Sequence, residues 1–350
     1  MPAKDRLLYL DYVKGFAIIL VVAGHTIGGL LPLGIIHRPS IFTLFSSLIY
    51  TFHMPLFFFV SGYLSAKLLS APPVEFARKT FSGIAAPYLI WSWVFLLISN
   101  ALQGSTNNHF AAWNFLGVFL PWDAVGVYWF LYALLCARIV YFFAGRRSTG
   151  AVFKLFVAFS AFYLFYELFL NRPEWDSPFL LTFGRIAKAG TFTGFGLIAA
   201  LQPGIMDVIL APKCVFPFAA SWVLAAGFVA YSDTFSALRF LTGFLGTALF
   251  LTLARQIELR GIRLPSLAAA GIASLPIYVT HVIFAAGMRF FLLKLGISNA
   301  FVHFSLGTAA GAIFPMILFY AANRMRIAPY VGFGASAAAA FGEPGRAAQR

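Results

Sequence analysis

Ten apolar stretches recur along this 350-residue chain, at 9–33, 43–68, 81–102, 125–143, 151–170, 187–202, 214–231, 236–254, 268–294 and 299–322. Each reaches or approaches the roughly 17–25 residues that an α-helix needs to cross about 30 Å of hydrocarbon. Lipid offers no partner to a free N–H or C=O, so runs of this kind fold as helices that satisfy their own backbones. With 61% hydrophobic and 10% charged residues and a mean hydropathy of +0.86, an ordinary soluble domain is excluded. The expected fold is all-α: a polytopic integral membrane helical bundle of about ten transmembrane helices. The sixth stretch is the weakest, being short and carrying Gly190, Gly194 and Gly196. The piece from Phe115 to Trp122 reads as re-entrant or interfacial.

A net charge of +14 raises nucleic acid as a partner, but the bases lie scattered in connections and form no aromatic-interleaved patch. Membrane topology accounts for them instead. Lys4, Arg6, Lys67, Arg78, Lys79, Arg146, Arg147, Lys213, Arg255, Arg260, Arg263, Arg324 and Arg326 fall on one side of the alternating connections. Arg38, Arg172, Arg185, Lys188 and Lys294 fall on the other. The bias puts both termini in the cytoplasm, and an even number of crossings requires the same. The first stretch is too long, and too interrupted by Asp11 and Lys14, for a cleaved signal peptide. Residues 327–350, rich in Ala and Gly, read as a disordered cytoplasmic tail behind a transmembrane domain spanning 1–326. Cys136 and Cys214 sit in apolar context without metal-ligand spacing, so they are expected to be packing residues, with no metal bound.

Chemistry concentrates in the first stretch. His25 follows Lys14 by eleven residues, which in a helix is about 1,100° of rotation and roughly 16 Å of rise, so the two share a face. Asp11 lies on it too. An ionisable side chain facing hydrocarbon costs on the order of 2.5–3.5 kcal/mol, so this stripe is expected to face a protein-lined or watery interior. Histidine can take a proton from an incoming hydroxyl, as acyl transfer to an alcohol requires. A flexible thioester arm such as that of acyl-CoA would reach it from the cytoplasmic end. The same histidine would serve equally as a hydrogen-bonded packing residue. Lys14 can hold an anionic donor or simply snorkel, and Asp11 can pair with it.

The second stretch contains FHMPLFFFVSGYL at 52–64. Pro55 removes a helical hydrogen bond and is expected to bend the helix. His53, Ser61 and Tyr63 are candidate acceptor or pocket residues, His53 being equally suited to a helix interface. Ser61 lies in no G-x-S-x-G elbow and is not a nucleophile.

The basic residue, ten intervening residues and histidine, then F-x-MPLFFFVSGY, YWFLYALL at 128–135 and SLPIYVTH at 274–281, together resemble the membrane-bound acyltransferase-3 family. That family includes O-acetyltransferases of bacterial cell-surface polysaccharides. The set covers most of the membrane region in the family's usual order. Lys14 stands where arginine is commonest, as in the branch resembling fucose 4-O-acetylases, and supplies charge without a bidentate fork. The resemblance implies transfer of an acyl group, usually acetyl, from cytoplasmic acetyl-CoA or another acyl-CoA to a glycan or lipid-linked sugar hydroxyl. It implies a protein of the bacterial inner membrane with no permanently bound cofactor and with His25 as the catalytic histidine. His281 matches a second motif histidine, with packing the competing role. Arg260 and Arg263 form an R-x-x-R suited to CoA phosphates, although positive-inside topology alone would place arginines there. Glu167, Arg172, Glu174, Asp176 and Arg185 surround an outer loop near Trp175, where sugar-binding and merely solvated charges are the two readings. Tyr128 and Trp129 are pocket candidates or an interfacial belt. A transporter or flippase for a lipid-linked glycan is the alternative function; no internal repeat supports it.

Overall fold

The computed structural model describes residues 7–101, 114–120, 126–171, 177–231 and 237–334. It contains α-helices and short 3-10 or π-type turns, with no strand among the described residues. The helices are α1 (Leu8–Leu30), α2 (Ile41–Ser65), α3 (Pro73–Thr80), α4 (Ala86–Ala101), α5 (Asn114–Gly117), α6 (Trp129–Gly145), α7 (Thr149–Phe165) and α8 (Pro178–Leu201). They continue as α9 (Pro203–Ile209), α10 (Val215–Tyr231), α11 (Ala237–Leu259), α12 (Pro265–Ile272), α13 (Ser274–Lys294) and α14 (Ala300–Arg324). Among the described residues nine helical segments are long and apolar enough to cross a membrane, and α8 with α9, bent by 107°, makes a tenth if counted as one span. The chain is a polytopic helical membrane protein.

Local sequence sets the ends. Ser40 and Thr43 form a reciprocal capping box at the start of α2, and Asn299 accepts from Phe301 and Val302 N–H at the start of α14. Pro203 disfavours the helical conformation at Gln202, whose φ of −125° and ψ of 84° end α8 and turn the chain into α9. The 268–294 stretch, expected as one span, is two helices. Pro276 cannot bond back to Ile272, and the break falls at Ala273. Pro55, by contrast, sits inside an uninterrupted α2.

Two expectations change, for the sixth span and for the start of the tail. The sixth span is not a short piece at 187–202 but the 24-residue α8, so Arg185 and Lys188 belong to a helix and not to a connection. Residues 114–120 pack on α4, with Tyr88 Oη donating to Val118 O at 2.8 Å and Trp93 Nε1 to Phe115 O at 3.1 Å. Residues 327–334 do not begin a disordered tail. Trp91 stacks on the buried Phe333 ring and donates to Val331 O at 3.0 Å; residues 335–350 lie outside the described residues.

α8 packs against α2, α7 and α6. Gly62 of α2 lies against the Thr193 backbone, and Gly196 of α8 against the Phe59 carbonyl, so any Cβ at either glycine would strike main chain. α12 is held on α1 in the same way, Gly15 against the Leu267 carbonyl and Gly271 against that of Asp11. The first pair seats α8 on α2, and the second fixes the start of α1 against α12.

Candidate active site

His25 lies one turn from the cavity-lining Gly28 and next to the cavity-lining Gly24, and it retains partial exposure. α13 brings His281 against it, with ring centroids 5.0 Å apart. His281 is fully buried, and its Nδ1 donates to the carbonyls of Tyr278 at 2.8 Å and Ile277 at 3.1 Å. Carbonyls only accept, so Nδ1 carries the proton and Nε2 is left with its lone pair. That Nε2 has no partner among the described residues. His53 of α2 repeats the pattern, Nδ1 donating to Ile49 O at 2.7 Å, with Tyr50 edge-on to its ring at 5.1 Å. Both histidines lie within electrostatic reach of His25. The three histidines therefore form one group: two fixed by backbone carbonyls, flanking one at the cavity edge.

The cavity has a volume of about 600 Å³ and opens on the face where α1 ends. Its wall combines Gly24 and Gly28 of α1, Thr43 to Thr51 of α2, Trp129 of α6, and Tyr163 to Asn171 at the end of α7. Leu181 to Lys188 of α8, Val229 and Ala230 of α10, and Arg239 of α11 close it. Gly28 has open space where a Cβ would project, so its lack of a side chain serves the cavity and not helix packing. Arg185 sits over the Trp129 ring at 5.2 Å and Lys188 over that of Tyr163 at 5.3 Å. Glu167, for which sugar-binding and a solvated charge were the two readings, is buried in the turn that extends α7 and accepts from Asn171 Nδ2 at 2.8 Å.

Lys14 and Asp11 lie at the other end of α1. They pair at 2.9 Å, with Asp11 almost fully buried and the lysine side chain 21% exposed. Between them and His25, Ile18, Val21 and Val22 are buried in the core with Phe58 and Ile277, so that part of the stripe is protein-lined, not watery. Close to this end, Tyr12 Oη donates to Ile262 O at 3.3 Å and Tyr9 N to Glu258, which is paired with Arg255. Arg260 and Arg263 are exposed in the adjoining turn.

The structure thus gathers His25, His53, His281, Trp129 and Glu167 at or near one cavity and leaves Lys14, Asp11, Arg260 and Arg263 at the opposite face. Ser61 and Tyr63 do not line the cavity: α2 contributes only Thr43 to Thr51, and Ser61 lies ten residues beyond, roughly 15 Å along the helix. Tyr128 is locked by reciprocal bonds, its Oη to Val279 O and that of Tyr278 to Val127 O, each 2.8 Å. It is a strut behind the site. Arg172, Glu174, Trp175 and Asp176 lie outside the described residues. Sequence reasoning missed Tyr50, Tyr163 and Arg239 as cavity residues. Only Arg239 carried a signal, a lone cation within the apolar run 236–254.

Residues 7–320 match the acyltransferase-3 family, described as an acyltransferase domain. The chain is 35% identical over 146 residues to nodulation protein NolL of Sinorhizobium fredii (strain NBRC 101917 / NGR234), covering 39% of this chain and 36% of that protein. It is 28% identical over 144 residues to nodulation protein NolL of Mesorhizobium japonicum (strain LMG 29417 / CECT 9101 / MAFF 303099), covering 39% of this chain and 35% of that protein. The chain therefore covers little more than a third of the length of either relative. No solved structure matches it.

Proposed function

From the premise that the chain belongs to the acyltransferase-3 family, we propose that it transfers an acyl group, acetyl from acetyl-CoA, to a hydroxyl of a cell-surface or exported polysaccharide. The observation that carries this is the placement of His25: part-exposed beside the lining residues Gly24 and Gly28 of a 600 Å³ cavity, with the ring of His281, whose Nε2 is without a hydrogen-bond partner among the described residues, 5.0 Å away. A hydroxyl entering the cavity gives its proton to His25 as its oxygen attacks the thioester carbonyl. The new C–O bond replaces the C–S bond, and the proton passes from His25 to the departing thiolate. An N–H of His25 directed at the His281 Nε2 would leave the other ring nitrogen as the base. Lys14, Arg260 and Arg263 hold the charged end of the donor at the opposite face, so donor and acceptor meet across the helix. The basic residues of that face support a cytoplasmic donor side, both termini inside, and residence in the bacterial inner membrane.

Purified protein should release CoA thiol from acetyl-CoA slowly, and faster with a glycan that accepts the acetyl group, gaining an acetyl-sized mass. His25→Ala protein that is inserted normally yet turns over acetyl-CoA at the parental rate would defeat the proposal.

A further inference from the structure

Arg38, Arg185, Lys188 and Arg239 line the cavity, with Glu167 the one lining carboxylate among the described residues. Membrane topology does not account for them. The cations that a positive-inside bias explains lie in the connections at the opposite face, with Lys67, Arg146, Lys213 and Arg260 among them. Arg38, Arg185 and Lys188 are three of the five cations that fall against that bias, and folding brings these three to one cavity with Arg239. A cation on a spanning helix is costly and marks a pathway or a ligand site. Aromatic faces steady two of them, Trp129 under Arg185 and Tyr163 under Lys188, leaving both at the cavity wall.

We infer that this cavity receives an acceptor glycan that carries an anionic group, a carboxylate or a phosphate, near the hydroxyl to be acylated. The inference rests on the acyl-transfer reading and narrows its acceptor. Arg185 offers a planar fork to an oxyanion, and Lys188 a compact charge within reach of His53. Anchoring the anion on α8 places a neighbouring sugar hydroxyl toward α1, where His25 stands. A neutral glycan would enter the same space without using these charges. CoA also carries phosphates and is the competing source.

The test uses purified full-length protein and three probes: trigalacturonate, inorganic pyrophosphate and neutral maltotriose, with binding measured by calorimetry and acetyl-CoA hydrolysis followed in parallel. At least one anionic probe should bind tenfold or more tighter than maltotriose, and Arg185→Gln or Lys188→Gln should each weaken it by about tenfold. Arg185→Lys should recover part of the loss. Arg38→Gln, in the exposed connection before α2, gives the same test without touching packed core. The apparent KM for acetyl-CoA should stay unchanged throughout. Trigalacturonate and pyrophosphate separate the carboxylate from the phosphate form. Equal binding of maltotriose, anion binding indifferent to these substitutions, or a raised acetyl-CoA KM in the variants would each overturn the inference, the last by assigning the cavity to the donor. If anion binding follows the expected pattern but acetyl-CoA is never consumed, it is the acyl-transfer reading that fails, and with it the acceptor role.

Discussion

Lys14 carries two roles that one substitution would confound. Its ammonium lies 2.9 Å from a carboxylate that is 5% exposed, and stripping one partner from a buried pair costs roughly 3–5 kcal/mol. Lys14→Ala should therefore lower thermal stability whatever the donor does. Replacing both, Asp11→Asn with Lys14→Ala, removes the buried carboxylate charge along with its ammonium and should restore part of that stability. A donor role predicts that the double variant still needs more acetyl-CoA for half-maximal rate; a parental KM in stable double variant would take Lys14 out of the donor site. His25→Ala should reduce transfer by at least about 100-fold, the low end for loss of a general base. His281→Phe keeps the buried ring volume but removes the unpartnered Nε2 from the ring beside His25. It should lower kcat while leaving the acetyl-CoA KM in place, and a shift in KM alone would mean that His281 touches donor and not His25.

At the level of helices, what could be read from sequence was what depends on run length and on rare polar groups. Ten apolar stretches and three histidines were visible because each stands out against its neighbours. Of α8 only the part from 187 on was visible, because hydropathy scores a residue against lipid while this helix faces protein. Its glycines lower the score yet let the α2 and α8 backbones touch, and Arg185 and Lys188 lower it further yet point to the cavity. Tyr50 and Tyr163 were invisible for a different reason: one tyrosine in an aromatic-rich chain signals nothing until the fold places it. The glycines give a matched experiment. Gly62→Ala drives a methyl into the Thr193 backbone and should cost about 1–3 kcal/mol as overpacking. Gly28→Ala meets open space and should change stability by no more than about 1 kcal/mol, the helix-propensity difference. Gly28→Leu should then cut transfer without unfolding the protein, because its side chain fills the cavity. Equal melting of the two alanine variants in detergent would contradict the packing assigned to α2 and α8.

The whole molecule separates its charges between two faces. Lys67, Arg146, Arg147, Arg260, Arg263 and Arg324 lie at the ends of helices on the face where α1 begins, whereas the cavity opens on the face where it ends. A two-sided reaction needs that polarity: a donor from the cytoplasm on the first face and an acceptor on the second, with His25 between. Sidedness is open to thiol labelling because the two native cysteines are unpaired and can be replaced by serine. In such a background Arg260→Cys and Lys294→Cys place single thiols on exposed positions of opposite faces, one beyond the end of α11 and the other at the end of α13. Lys294→Cys should react with an impermeant maleimide in intact cells, and Arg260→Cys only after the membrane is opened. Reaction of both thiols in intact cells would put the two faces on one side and end the two-sided mechanism, and reaction of Arg260→Cys alone would turn it inside out, leaving acetyl-CoA on the wrong side of Lys14.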